Sequence, residues 1–360
     1  MRYSNFLRPH ILMGSNLILF FRIIAKLNFS IKGSVIGRLT ISFFILLLFT
    51  PFRFIEAVLS LFAKKEEVKQ PVFIVGHFRS GTTFFHDSLN ELDAVVAPRM
   101  IDCLYPYLNR YIQFILIPIL KRALPEERLM DKMKVAWDSP QEEEFALSLM
   151  TMDTSVSFLF APKTYSKDLN KSVLLGDSRV KEKWLKAHMK FARKFQSMNK
   201  GKTLVFKSPS NTSRIKELLE IYPDAKFIHL VRNPMDVIPS TLNLYKKILP
   251  EFSLQDEKQI DFEEFVFNVY DQVMRQFMER KNEIDTTQLV ELKYEDFVNA
   301  PIQLISEAFE QLNIATSVNG LESFFESRKN FTRNDFVIDE KLKKSIQIRC
   351  SSVIEEYSYS

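Results

Sequence analysis

The chain has 360 residues, 46% of them hydrophobic, and 49 Lys and Arg against 44 Asp and Glu give it a net charge of +5. Such a length and apolar fraction fit one large α/β domain with insertions, or two smaller ones, and exclude a disordered or fibrous protein. Cys103 and Cys350, the 2 cysteines, offer neither a disulfide framework nor metal-ligand spacing, and the 5 histidines form no HExxH pattern, so no metal is expected and a reducing cytoplasm is the default.

The modest positive charge suits an anionic nucleotide or an anionic membrane surface. No basic arm or recognised nucleic-acid motif accompanies it, so no nucleic-acid partner is expected. No internal repeat is present.

Residues 1–70 form a first, apolar helical segment. Leu39 to Phe52 reads LTISFFILLLFTPF, uncharged and bracketed by Arg38 and Arg53. The run falls short of the roughly 20 residues a spanning helix needs, and Pro51 is expected to interrupt it. No small-residue cleavage site follows, so it does not read as a signal peptide. Three readings stay open. One is a buried helical hairpin packed on the sheet domain. Another is an interfacial helix, peripheral on the inner face of the membrane, which Arg2, Arg8, Arg22, Lys26, Lys32 and Arg38 would support. The third is a membrane span.

Pro71 to Leu89, PVFIVGHFRSGTTFFHDSL, carries the strongest signal. Val72 to Val75 is a continuous apolar run, as in a strand covered on both faces. The run stops at Gly76. Arg79, Ser80, Gly81, Thr82 and Thr83 then make a loop whose N–H groups and following helix N-terminus can cradle an anion. It is not a Walker A loop: Thr82 stands where GxxxxGK[ST] needs lysine, and the cation comes earlier, as Arg79.

Further along, Tyr111 to Leu120, YIQFILIPIL, is a second apolar piece, either a core helix or part of a greasy mouth. Trp137 to Leu147, WDSPQEEEFAL, reads as a helix start with Ser139 as N-cap and carboxylates in the first turn. Leu204 to Phe206 is a strand ending at Lys207-Ser208-Pro209. Phe227 to Val231 is another, with Arg232 at its end, where ligands of open α/β sheets gather. Asn233-Pro234 then opens a helix in which Ser240 lies about two turns beyond Arg232. A guanidinium fork and a hydroxyl suit a dianionic phosphate. Phe262 to Arg280 has apolar residues at Phe265, Val269, Val273 and Phe277, the spacing of an amphipathic helix. Gln288 to Lys293 is a late strand, followed by Tyr294-Glu295-Asp296-Phe297, read as structural, and by a helix from Pro301 to about Leu312. The alternation predicts a central parallel sheet flanked by helices, a P-loop-like three-layer α/β fold over residues 71–320, with 321–360 completing the nucleotide site.

RSGTT after the VFIVG strand resembles the 5′-phosphosulfate loop of the sulfotransferases that use 3′-phosphoadenosine-5′-phosphosulfate (PAPS). Arg232 and Ser240 match the family's 3′-phosphate signature, an arginine at a strand end and a serine eight residues later. Lys207-Ser208-Pro209 followed by basic Arg214 is similar to the bacterial, lipid-directed branch. The resemblance runs from Pro71 to Leu312, and KYEDF belongs to it.

That resemblance implies that Arg79, Ser80, Gly81, Thr82 and Thr83 hold the donor's 5′ end, with Phe84 packing near the nucleotide and Lys207 beside the transferring group. Arg328 and Lys329 stand where relatives carry an Arg-Lys-Gly phosphate clamp, although Asn330 replaces the glycine. The histidine base of cytosolic relatives has no counterpart here. Glu142 and Glu144 match recurrent positions of the bacterial branch and are the candidate bases, with Asp102 and His86 as rivals. The expected activity is sulfuryl transfer from PAPS to a small hydrophobic alcohol such as a sterol or lipid. A P-loop nucleotide kinase or NTPase and a non-catalytic, membrane-associated nucleotide-binding protein are the alternatives.

Overall fold

The structure, a computed structural model, describes residues 9–28, 30–64, 66–120, 136–165, 169–258, 260–328, 336 and 338–359. Arg2, Arg8, Lys329 and Asn330 lie outside them. The chain divides into two compact units. One gathers Val68–Ala97, Gly201–Tyr245 and Asp261–Ser360; the other gathers the chain up to Glu67 with Pro98–Lys200 and Lys246–Ile260. The first is called the sheet unit and the second the helical unit.

In the sheet unit five parallel strands, β1 (Val72–Val75), β2 (Val95–Val96), β3 (Thr203–Lys207), β4 (Lys226–Val231) and β5 (Leu289–Lys293), lie in the order β2-β3-β1-β4-β5. β1 is buried along its whole length, which is why it reads as an unbroken apolar run. Phe73 pairs in register with Phe206 and Phe227 on either side. Its ring stacks between theirs at 5.4 and 5.6 Å, an aromatic row that fixes the alignment of the three central strands. On one face of the sheet, Val72, Ile74, Val205, Ile228 and Leu230 share a core with Phe85 and Leu89 of the helix Thr82–Leu89 and Ile305 and Phe309 of Pro301–Gln311. β5 is an edge strand, and there burial alternates, with Val290 and Leu292 inward and Glu291 outward. The predicted helix over 262–280 is present as Phe262–Arg280.

The helical unit departs further from the sequence-based expectation. Helix Ile36–Leu61 runs for 26 residues, straight through Pro51. Proline removes one N–H and crowds the preceding turn. Thr50 Oγ1 (2.7 Å) and Arg53 Nη1 (3.4 Å) donate to the Leu46 carbonyl in that turn. The helix does not end where the apolar run of the sequence does. It pairs with Leu17–Lys26 through Phe20, Phe21 and Phe43, a helical hairpin.

A second departure concerns Ser139, which does not cap a helix. Its carbonyl accepts from Met100 N–H, Gln141 N–H donates to Pro98 O, and Arg99 and Pro140 form a bridge. The 139–141 segment is thus held extended against 98–100, and the helix starts later, as Glu143–Thr151 with Glu142 at its N-cap. Helix Ser178–Met198 packs against it.

Candidate active site

The sheet order itself marks a place for a ligand. The chain leaves β1 toward β2 on one side, and leaves neighbouring β4 toward β5 on the other. Connections diverging from adjacent parallel strands open a crevice at their C-terminal ends. The loop holding Arg79 follows β1, and Arg232 follows β4.

Backbone constraints fix the loop. Gly76 (φ +140°) sits so close to β4 that a Cβ there would lie 2.3 Å from the Leu230 carbonyl oxygen. Its N–H donates to Thr212 Oγ1 at 2.7 Å. Arg79 adopts a left-handed φ of 70°, uncommon for a residue with a side chain and often kept at functional turns. Ser80 N–H and Oγ both donate to the His77 carbonyl, at 3.2 and 2.7 Å, which tightens the turn. Gly81 follows at φ +94°, and a Cβ on it would meet the Tyr294 ring at 2.2 Å. The helix begins at once with Thr82.

The cationic and hydroxyl side chains converge on this loop. Arg79 Nε donates to Ser240 Oγ at 2.9 Å, joining two sequence motifs 161 residues apart. Arg232 Nη1 reaches the Arg79 carbonyl at 3.4 Å, while its Nε and Nη2 donate to Asp236 at 3.2 and 3.0 Å. Asp236 is half exposed, so water screens that pair and it adds little stability. The Arg232 guanidinium lies over the Tyr294 ring, 4.6 Å from its centre. Tyr294 thus packs against Gly81 and beneath Arg232. The next residue is held too: Asn233 N–H donates to Glu295 Oε1, and Tyr359 OH donates to Glu295 Oε2, both at 3.1 Å. From β3, the buried Lys207 sends Nζ to 3.3 Å from Thr83 Oγ1.

Other residues named from sequence lie around or apart from this cluster. Phe84 packs in a ring cluster with Phe297, Phe324 and Phe325. Arg328 covers Phe324, its guanidinium carbon 3.7 Å from the ring centre. His86 is buried on the helix after the loop. Burial above all, then the charge of Lys207, pushes its pKa well below the usual histidine range, so the ring is neutral.

Glu142, Glu144 and Asp102 belong to the helical unit. Glu144 is fully buried; Oε2 accepts from Trp184 Nε1 (3.1 Å) and Oε1 from Ser155 N–H (3.2 Å) and Oγ (3.1 Å). Asp102 is equally buried. Its Oδ2 accepts from Arg99 N–H and Nε, and its Oδ1 from Arg99 Nη2 and Asn109 Nδ2. Glu142 is half buried.

Three residues with a part in this arrangement escaped sequence reasoning. Tyr294 reads from sequence as plain structure, and only the contact with Gly81 gives it another role. Thr212 follows KSP within the same motif but reveals its partner only in three dimensions. Asp236 stands four residues after Arg232, the spacing of a helical ion pair, and that signal was available.

Residues 71–317 of the 360 match the family model described as "Sulfotransferase family". Two curated relatives, both omega-hydroxy-beta-dihydromenaquinone-9 sulfotransferase Stf3, come from Mycobacterium bovis and Mycobacterium tuberculosis. Each is 27% identical over 299 residues, covering 80% of this chain and 75% of the relative. Among solved structures, sulfotransferase STF1 of Mycobacterium tuberculosis H37Rv superposes with TM-score 0.65 at 14% identity, over 93% of this chain and 90% of its own. Sulfotransferase STF9 of Mycobacterium avium gives TM-score 0.65 at 15% identity, over 95% and 96%. The fold is theirs, and with the family model spanning more than half the sequence, this chain belongs to the sulfotransferase family and is a sulfotransferase.

Proposed function

We propose that the sulfuryl donor is PAPS and that the acceptor is the hydroxyl of a lipid-like alcohol. One observation carries the donor reading: Arg79, Ser240 and Arg232 meet at the tips of β1 and β4, around a loop in left-handed conformations. A donor with phosphate at both its 3′ and 5′ positions needs two such anion sites, and the cation-plus-hydroxyl composition fits it. The loop amides, Arg79, Thr82 and Thr83 would hold the 5′ end. Arg232 and Ser240 would hold the 3′-phosphate, with Arg328 and Lys329 as an outer clamp and Phe84 as apolar packing. When bound, the donor supplies the sulfuryl group.

The new bond from acceptor oxygen to sulfur forms as the bond from sulfur to the 5′-phosphate oxygen breaks. Electrons leave on that oxygen, where Arg79 and the loop amides neutralise them; Lys207, placed by Thr83, covers the sulfuryl oxygens. The acceptor proton passes to a base. Glu142, half buried at the N-cap of Glu143–Thr151 and at a position that recurs in the bacterial branch, is the carboxylate we assign to it. The Stf3 relatives, named for omega-hydroxy-beta-dihydromenaquinone-9, support an apolar acceptor ending in a hydroxyl.

Calorimetry with the product 3′-phosphoadenosine-5′-phosphate tests the donor site. Arg79→Ala and Arg232→Ala should each weaken binding about ten- to a hundredfold, the loss of one or two charge-assisted hydrogen bonds. Unchanged affinity in both variants, or a preference for ATP with magnesium over the bisphosphate, would refute it. Labelled donor with a panel of prenyl alcohols, sterols, phenols and sugars tests the acceptor. Glu142→Gln should abolish turnover at saturating donor while leaving product binding intact.

A further inference from the structure

Helix Ile36–Leu61 has its amphipathicity reversed. Of its seven buried residues, Arg38, Ser42, Arg53 and Glu56 are polar or charged. Each is tied inward. Arg38 Nη1 donates to the Glu251 carbonyl at 2.7 Å, and Ser42 Oγ accepts from His10 N–H at 2.7 Å. Arg53 Nη2 donates to the Met13 carbonyl at 2.9 Å. Glu56 accepts from the N–H groups of Arg110, Tyr111 and Ile112, and from Lys194 Nζ.

The opposite stripe is apolar and bare. Phe44 is 63% exposed, Leu48 64%, Phe54 71% and Phe62 85%, with Leu47, Ile55, Val58, Leu59 and Leu61 between them. Only 28% of the most apolar 18-residue stretch is buried, unlike the core helix of a soluble protein. Ile18 (67%) and Phe21 (56%) of the paired helix Leu17–Lys26 are exposed in the same way. Contiguous apolar area on this scale marks an interaction surface.

Charge identifies the partner. Between residues 17 and 63 the single acid is Glu56, and it is buried. The exposed charged side chains of that stretch are therefore both cationic: Arg22, and Lys26, which pairs with Asp153 at 2.7 Å; beyond the stretch, Lys64 stands 3.9 Å from Glu66. A protein partner with a complementary apolar face has no such requirement for one sign of charge, whereas an anionic bilayer does. The buried polar stripe sets the depth: four polar groups bonded to the unit's own backbone and side chains do not suit a helix surrounded by hydrocarbon.

We propose that the outer face of Ile36–Leu61, with Ile18 and Phe21, seats this chain on an anionic lipid bilayer as an interfacial, non-spanning element. This stands independently of the acceptor reading, and its test uses no turnover. The full chain should co-float with vesicles of phosphatidylcholine plus phosphatidylglycerol, and less with phosphatidylcholine alone. Phe44→Ser/Leu48→Ser/Phe54→Ser should lower partitioning by about a hundredfold or more, from the apolar area withdrawn. Its melting temperature should hold, since these side chains are exposed; if it does not, the single variants Phe44→Glu and Leu48→Glu replace it. Arg22→Glu should reduce binding only to the anionic vesicles. Three results would overturn the proposal: wild-type flotation unaltered in the apolar variants, a lipid-free dimer that ignores vesicles and is broken by the same substitutions, or resistance to alkaline carbonate extraction, which indicates a spanning helix.

Discussion

In the helical unit the Glu56 carboxylate accepts from three successive N–H groups and a lysine, and Asp102 and Glu144 are similarly enclosed. In the sheet unit Arg79 meets a neutral hydroxyl, and the carboxylate opposite Arg232 is half exposed. The first set of charges is compensated where it stands, as buried ions must be. The second is held in place by backbone geometry and an aromatic ring. Enclosed compensation builds a scaffold; oriented cations on a constrained loop build an anion site.

The sharpest way to break that contrast is to disturb the geometry while leaving every charge. Gly81→Ala puts a Cβ into a left-handed residue and into the Tyr294 ring. The loop or the ring must move, and displacements near 1 Å at a reacting centre cost about a hundredfold in rate. Steady-state kinetics should show that fall, with the melting temperature much less affected. The counterpart in the helical unit, Glu56→Gln, should reverse the pattern: lower stability from a buried lysine left poorly matched, with smaller loss in rate per molecule still folded. Equal behaviour of the two variants would erase the distinction.

Tyr294 sharpens the same comparison with a smaller effect. It orients Arg232 through its ring, so Tyr294→Leu removes a cation–π contact of about 1 kcal/mol and should weaken bisphosphate binding roughly fivefold. Tyr294→Phe keeps the ring and should restore it. A merely structural tyrosine would change stability in both variants and affinity in neither.

How far these roles were legible follows from the kind of signal each left. β1, β3 and β4 are enclosed on both faces, so their sequences are apolar runs ending at Gly76, Lys207 and Arg232, and both strands and tips were readable. β2 has two residues, too few for a pattern. Helix Ser178–Met198 buries Val180, Trp184, Ala187, Phe191 and Phe195 at helical spacing, but lysines and arginines dilute that stripe and it was not assigned. Arg79 and Ser240 were each identifiable, whereas their mutual bond across 161 positions was not. Pro51 and Ser139 misled because local propensity was overridden: the helix Ile36–Leu61 continues through the proline, and Ser139 is held in extended pairing with 98–100.

A pH-dependence prediction tests what the two units share. Each encloses a histidine, His10 in the helical unit and His77 in the sheet unit, whose pKa is lowered from 6.5 to about 4, in both cases mainly by burial. For His10 the neighbouring charges of Arg38 and Lys32 add to this, and its bonds fix the neutral form. Nε2 faces the Phe252 carbonyl at 2.8 Å and so carries the proton, while Nδ1 accepts from Leu12 N–H. A second proton on Nδ1 would meet a donor. His77 lies edge-on to Tyr270, with Nδ1 at 3.0 Å from the Phe78 carbonyl. Because the folded pKa lies below the unfolded one, the unfolded chain binds the extra proton first. The stability these rings contribute is complete above pH 6.5 and is lost as pH falls toward 4. Each contributes a slope approaching 1.4 kcal/mol per pH unit, so about 2 kcal/mol per ring should go between pH 6.5 and 5. Glu291, held down to about 2 against burial by its bonds to His229, Tyr357 and Lys281, keeps its charge in the folded chain and adds only a small slope at the acid end of that window, where the unfolded carboxylate begins to protonate. Chemical denaturation across this range, for wild type, His10→Gln and His77→Gln, should find each variant less pH-dependent than wild type. A slope unaltered by both substitutions would mean that neither ring is neutral and enclosed in the way its hydrogen bonds require.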